Sequence, residues 1–407
     1  MALGRALRDE WGRLLALLVA RYRRLDLAED GLADAFEAAA RTWPAGGVPG
    51  NPAAWLLTAA RRRILDRLRA EAVAARTLPL LAVEADLRRE AQRVMADPGV
   101  SAALADERLR LVLLCAHPDL PPEAAAALSL RLVLGVSTAD IARLFLVSTP
   151  TMAARLTRAR KRLAGASFGL PSGTELDRRL AGVRDVAYLA FTAGYAPGSG
   201  ADVLRADVAA EAIRLARVVR ELAPGRDADA LLALMLVQHS RRDARVVDGE
   251  LVLLPEQDRS RWHHDEAAEG LALLVPLAQG PATPLLLQAL IAGEHAIAAR
   301  PEDTAWPRVV RHYDELLALT DTPVVRLNRA VAVAEADGPL AGLAALEGLR
   351  LAGHRLPAVR AELLARAGRP DAARAAYDDA LAACDHEAER RHLRRRRDGL
   401  SRPRPPG

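Results

Sequence analysis

Two short amphipathic helices on either side of a tight turn are written into residues 137–163 of this 407-residue chain. Ser137 followed by Asp140 is a weaker form of the capping box and starts the first helix, on which Ile141 and Leu144 fall three apart on one face. The second helix starts at Thr149, with Pro150 at the first helical position, where its missing N–H costs nothing. Met152, Leu156, Ala159 and Leu163 then form one apolar stripe. Thr151, Arg155, Arg158 and Arg162 repeat the same spacing one position off, on a different face. Arg160 and Lys161 add cations near the C-terminal end, which suits the helix dipole. A solvated basic surface helix would explain the second helix alone. The capped pair, the short turn and the arginine face together give the pattern of a helix-turn-helix, whose second helix lies in the major groove of DNA.

The rest of the chain reads as helix throughout, so the expected fold class is all-α. Aromatic residues make up only 3% of the sequence, and alanine and leucine dominate, which favours closely packed helices over a β-sandwich. Residues 245–254 are the one strand-like exception, with Asp248-Gly249 suited to a hairpin turn. Residues 1–76 form a first helical unit. Leu14, Leu15, Leu18, Tyr22 and Leu25 mark its first helix, and Leu32, Ala35, Phe36 and Ala39 its second. Pro44 to Gly50 is a loop by composition, and Asn51-Pro52 caps a third helix with the stripe Leu57, Ala60, Ile64 and Leu68. Residues 77–103 read as a linker, 104–165 as a second helical unit ending in the helix-turn-helix, and 165–173 as a further linker. Residues 174–400 read as a larger C-terminal domain of helical hairpins. In it, Ala373, Tyr377 and Ala380 have the second-helix spacing of a tetratricopeptide repeat, and Ala334 to Leu346 resembles a degenerate copy.

Charge divides along the same line. Through Leu170 there are 25 Arg plus Lys against 18 Asp plus Glu, whereas the remainder is nearly neutral, so the first part is the expected polyanion binder. Cys115 and Cys384 are far apart and form no CxxC unit, which reads as two buried thiols. No apolar run reaches membrane-spanning length and no signal peptide is visible, so a soluble, cytoplasmic protein is expected. Glu256, His263, His264, Asp265 and Glu266 are the one dense group of ligand-type residues read from the sequence. They lack the i, i+4 spacing of a helical metal pair, and no phosphate loop or nucleophile motif accompanies them. The expectation is therefore no enzyme, no metal and no cofactor. His295, in an apolar helix, reads as a satisfied core histidine. A one-component DNA-binding regulator with a helical sensor domain is the alternative to the reading that follows.

Several strings resemble the extracytoplasmic-function sigma factors of the sigma-70 family. Leu27 to Phe36 looks like the region 2 helix that docks on the polymerase clamp, and Asn51 to Arg69 like the segment that opens the −10 element. Asp106 to Pro118 and Ala127 to Leu132 look like the start of region 4, ahead of the −35-reading helix. Asp248 to Leu254, Gln257 to Trp262 and Pro323 to Glu335 resemble a subgroup with a long, helical, tetratricopeptide-like C-terminal extension. Departures occur at Asp34-Ala35, where the family often has Gln-Glu, and at Ala153-Ala154, where many relatives carry a polar pair.

The resemblance implies a factor that directs core RNA polymerase, through its clamp helices and flap, to promoter DNA. Thr149, Thr151, Arg155, Thr157, Arg158 and Arg162 would meet the −35 element, with Arg158 the residue expected to contact guanine. The 46–51 loop would form a base pocket for the melted −10 element. Asn51, Trp55, Arg61, Arg62 and Arg67 would serve it, with Trp55 either stacking on a base or filling the core. Glu29, Asp30, Asp34 and Phe36 would face the polymerase. The extension is expected to control the factor in cis, with a regulatory protein as a further partner.

Overall fold

The computed structural model describes residues 2–74, 99–145, 147–163, 171–195, 206–247, 250–384 and 387–400. Among them are eighteen α-helices and one two-stranded hairpin. The chain forms two compact units, Met1–Ala190 with Arg214–Pro224, and Phe191–Ile213 with Gly225–Gly407.

The first unit begins with three helices: α1 (Ala2–Tyr22), α2 (Leu25–Gly46) and α3 (Pro52–Ala74). Each presents one stripe to a shared core. Trp11, Leu14, Leu15 and Leu18 come from α1, Leu32, Ala35, Phe36 and Ala39 from α2, and Leu57, Ala60 and Ile64 from α3. The Asn51 side chain accepts a hydrogen bond from the Ala54 N–H at 3.0 Å and starts α3. Helix α2 runs past Pro44 into residues read from the sequence as loop, because proline in a last turn forfeits only one backbone bond. The Gly47 N–H then closes on the Trp43 carbonyl at a positive φ.

Next come α4 (Gly99–Cys115), α5 (Pro122–Leu132), α6 (Thr138–Leu144) and α7 (Thr149–Leu163). Helix α4 begins at Gly99, inside the span read as linker, while residues 75–98 and the linker residues 164–170 lie outside the described residues. Helix α5 is buried on nearly every side, from Ala124 through Leu130 and at Leu132. Its alanines let neighbouring helices approach closely, which explains a run that carries little amphipathic signal. The turn after α5 meets α1: Gly135 has φ +70°, and a Cβ there would sit 2.7 Å from the Trp11 ring. Only glycine fits both the left-handed backbone and that contact. The two helical groups read from the sequence thus pack together in one unit.

The helix-turn-helix has the geometry its sequence demands. The Ser137 hydroxyl accepts from the Asp140 N–H at 3.1 Å and donates to the Asp140 carboxylate at 2.7 Å. The second helix is capped one residue earlier than read, by Ser148, whose hydroxyl accepts from the Thr151 N–H at 3.3 Å. Thr149 is the first helical residue, and Pro150 still falls in the first turn, where no N–H partner is needed. Met152, Leu156, Ala159 and Leu163 are the buried residues of α7. Helices α8 (Gly173–Tyr195) and α9 (Ala206–Leu222) follow. The α9 residue Glu221 pairs with Arg108 of α4 at 3.1 Å.

The second unit is organised around α10 (Arg226–His239), which is buried from Ala230 through Val237. Val246–Val247 and Glu250–Leu251 pair antiparallel, Val246 opposite Leu251, and Asp248-Gly249 lie outside the described residues. Helices α11 (His264–Leu274), α12 (Pro284–Ile297), α13 (Trp306–Leu319), α14 (Pro323–Asp337), α15 (Pro339–Ala345), α16 (Arg355–Arg366), α17 (Pro370–Ala382) and α18 (Glu387–Gly399) complete it. Consecutive helices pair as hairpins. At Gly342 on α15 a Cβ would lie 2.5 Å from the Ala334 methyl of α14, so the two helices can approach this closely only through glycine. Ala373, Tyr377 and Ala380 are all buried, and the Tyr377 hydroxyl donates to Glu362 of α16 at 2.8 Å.

Replacing Ser137 by alanine is expected to destabilise the first unit by about 1 kcal/mol in urea denaturation at pH 7. The same hydroxyl, with Arg143, holds the Asp140 carboxyl below its ordinary value of 3.8. Its folded-state value is depressed, so the associated stability is present at neutral pH and lost as pH falls below about 4. The wild-type and S137A stability curves should therefore converge on acidification.

Candidate nucleic-acid interface

Helix α7 turns one face inward and leaves the opposite one open. Thr151, Ala153, Ala154, Thr157, Arg158, Lys161 and Arg162 are exposed. Thr157 donates its hydroxyl to the Ala153 carbonyl at 2.9 Å, and Arg162 donates to the Asp119 carbonyl at 3.2 Å. Arg155 is partly withdrawn and pairs with Glu123 at 3.0 Å. Among the described residues no carboxylate pairs with Arg158, which leaves its guanidinium available for a bidentate partner outside the chain. Thr149 is exposed at the helix start, where free N–H groups and the dipole favour a phosphate.

A second feature lies where the loop before α3 meets α2. A cavity of about 650 Å³ is lined by Asn51, Trp55, Arg62 and Arg63, and also by the carboxylates Asp34 and Asp66. Trp55 is half-buried, edge-on to Trp43 with ring centroids 5.6 Å apart, so it supports the core and borders the cavity at once. Arg62 and Arg63 are exposed, but Arg61 is only 4% exposed and belongs to the interior of α3. Arg67 reaches α2 instead, donating to Asp30 at 2.6 Å and to Asp34 at 3.2 Å. It ties two of the acidic residues assigned to polymerase contact to a residue assigned to DNA.

The other two polymerase candidates point inward. Phe36 packs against Trp11 at 5.7 Å between ring centroids. Glu29 is 5% exposed and accepts from Arg131 of α5 at 2.7 Å, while its second oxygen meets Arg160 of α7 at 2.6 Å. Arg131 also lies over the Trp11 ring, 5.3 Å from its centroid. This arrangement was missed from sequence, where Arg160 was read only as a dipole-complementing cation. The signal available was positional: Glu29 shares its helix face with Leu32 and Phe36, three and seven residues on, so a carboxylate falls on the buried stripe.

The ligand-type group at 256–266 disperses. His263 meets Asp243 at 2.7 Å, and Glu266 accepts from Arg242 at 2.6 Å and lies 3.0 Å from His239. Glu256 lies 3.6 Å from Arg396. Burial pushes the Glu266 carboxyl up, but His239 and Arg242 outweigh it and leave it below the ordinary range. His295 stands edge-on to Trp306 at 5.2 Å, and burial together with Arg241 and Arg259 lowers it to about 4, so it is neutral at pH 7. Among the described residues no helix is long and apolar enough to cross a membrane.

Comparison with known proteins agrees with the geometry. Residues 7–73 match the model for sigma-70 region 2, residues 110–163 that for sigma-70 region 4, and residues 179–277 a family of unknown function (DUF6596). An uncharacterized protein of Rhizobium meliloti (strain 1021) is 39% identical over 396 residues, which span 95% of this chain and 93% of that protein. No solved structure matches the chain. The two sigma regions in series, followed by a long helical extension, identify the chain as a member of the sigma-70 family of sigma factors.

Proposed function

We propose that the chain directs core RNA polymerase to a specific set of promoters, with α7 reading the −35 element and the Trp55 cavity holding bases of the melted −10 element. The observation that carries this is the outward face of α7, where Thr151, Thr157, Arg158 and Arg162 are exposed and the Arg158 guanidinium meets no carboxylate among the described residues. Arg158 takes the guanine contact. Arg162 and Thr149 meet phosphates, and Arg155, already paired with Glu123, acts at the flank. At the other site Arg62 tracks the unpaired strand while Asn51 and Trp55 wall the pocket. The clamp helices meet Asp30 and Asp34, whereas Glu29 and Phe36 shape that surface from beneath.

The extension acts in cis through its first helices. Residue 179, where the match to the family of unknown function begins, lies on α8 within the same compact unit as α4 to α7. Burial lowers Arg179 below the ordinary arginine value, and the Asp119 carboxylate works in the opposite direction; Asp119 follows α4. A regulatory protein that binds the extension would reach the DNA-binding helices through this junction.

Purified full-length chain should support promoter-specific run-off transcription with core polymerase and should bind duplex DNA weakly without it. Tight binding in the absence of core enzyme would favour a one-component regulator instead. Arg158→Ala should lose about 1–3 kcal/mol of promoter discrimination and relax preference at one −35 base pair, read by transcription from single-base promoter variants. A uniform loss across all variants would assign Arg158 to phosphate. A chain ending after Gly169 should lose regulated activity while still binding core enzyme; unchanged promoter activity and core affinity would remove the cis-acting role.

A further inference from the structure

Three side chains of metal-binding type converge in the second unit. His354 is the residue from which α16 starts, Cys384 lies just after α17, and Glu389 sits in the first turn of α18. One ligand atom from each lies within 4.8 Å of the others, and the imidazole Nε2 is 2.9 Å from a Glu389 carboxylate oxygen. Cys384 is fully buried, while His354 and Glu389 are partly open and border a cavity of about 650 Å³. We propose that His354, Cys384 and Glu389 form a zinc site that fastens α18 to the two preceding helices and leaves its fourth position open to this cavity.

The donor set selects the metal. Thiolate, imidazole and carboxylate together suit a borderline-soft ion, whereas magnesium and calcium take oxygen ligands. Tetrahedral Zn²⁺ with bonds of about 2.0–2.3 Å places its ligand atoms about 3.3–3.8 Å apart. To hold an ion the widest separation, at most 4.8 Å, shortens by up to about 1.5 Å and the 2.9 Å His354–Glu389 pair opens by about 0.4 Å, which side-chain rotation of His354 and Glu389 supplies. Binding displaces the thiol proton to solvent, and the cation then neutralises both the thiolate and the carboxylate. Three protein ligands with an open fourth position is the arrangement that also admits water or a small anion from the cavity. Tying the start of α16 to the last helix makes the order of the terminal hairpins depend on metal.

Titration of the metal-free, reduced full-length chain with Co²⁺ tests the site without polymerase or DNA. The expected result is one equivalent bound, with a thiolate-to-cobalt charge-transfer band in the near ultraviolet that Zn²⁺ bleaches. Cys115 serves as the internal control: Cys115→Ser keeps the band and Cys384→Ser abolishes it. His354→Gln and Glu389→Gln should each weaken Zn²⁺ binding at least about tenfold. Their far-ultraviolet circular dichroism should match that of the parent. Glu389 is partly exposed, so Glu389→Gln decides the matter even if Cys384→Ser fails to fold. Absence of the band in the parent chain, its survival in Cys384→Ser, or parental affinity in Glu389→Gln would each overturn the proposal and leave a His354–Glu389 contact beside a core thiol.

Discussion

A single buried carboxylate fixes how α2, α5 and α7 meet in the first unit. Glu29 lies on the apolar stripe of α2, and a lone charge there would be strongly destabilising. It persists because Arg131 and Arg160, each more than a hundred residues away, bring their guanidinium groups to it from α5 and α7. Arg131 is fixed in turn by the Trp11 ring and the Val136 carbonyl, and Gly135 leaves room for that ring. Such an ion pair specifies an arrangement more than it stabilises a fold, since a well-packed apolar substitute would serve stability equally well. What it specifies here is the position of α7 against α2.

That position bears on how the factor would work. Elements named −35 and −10 are about 25 base pairs apart, roughly 85 Å on straight B-DNA at about 3.4 Å per pair. A helix whose Arg160 lies 2.6 Å from α2 cannot meet the first element while α3 holds the second. On the proposed function, the Glu29 clasp must open when both elements are engaged. Its rupture exposes one carboxylate and two arginines to water, which rehydrates them and offsets part of the lost pairing. The free chain would therefore bind duplex DNA poorly for a structural reason, in addition to any shortage of base contacts.

Much of this fold was legible in the residues, and the failures share a cause. The stripe Met152, Leu156, Ala159 and Leu163 was read from spacing and is the buried set of α7, because a helix with one polar and one apolar face leaves little choice. The Asn51 and Ser137 caps were readable because a side-chain acceptor before a helix has few other uses. Helix α5 gave no such guidance, since a helix buried on all sides has no face to announce. The arginines were the least legible. Arg61, Arg131, Arg155 and Arg160 look alike in sequence to Arg158, yet the first four are spent on the interior or on carboxylates brought from elsewhere. No local pattern separates the two kinds, because the deciding partner is distant in sequence, more than a hundred residues away for Arg131 and Arg160 and about thirty for Arg155. The cluster around Cys384 escaped for the same reason: His354 is thirty residues upstream, and only the hairpin pairing of α16 to α18 brings it close.

This sorting of arginines changes what the charge of the first part means. An excess of basic residues through Leu170 suggests a broad polyanion surface, but internal pairing removes several of them from it. Among the described residues Arg158, Lys161 and Arg162 on α7 and Arg62 and Arg63 on α3 stay exposed, as do Arg21, Arg23, Arg24, Arg41 and Arg143, of which Arg24, Arg41 and Arg143 pair with neighbouring carboxylates. Two small basic faces attract DNA weakly one at a time, because few counterions are released by either. Their affinity multiplies when one rigid partner holds both at the correct spacing, since the second contact then becomes intramolecular. A chain with scattered surface charge would bind any DNA unaided. One that spends several arginines on internal pairing and presents small separate basic faces gains selectivity as part of a larger assembly, which favours a polymerase subunit over a free-standing regulator.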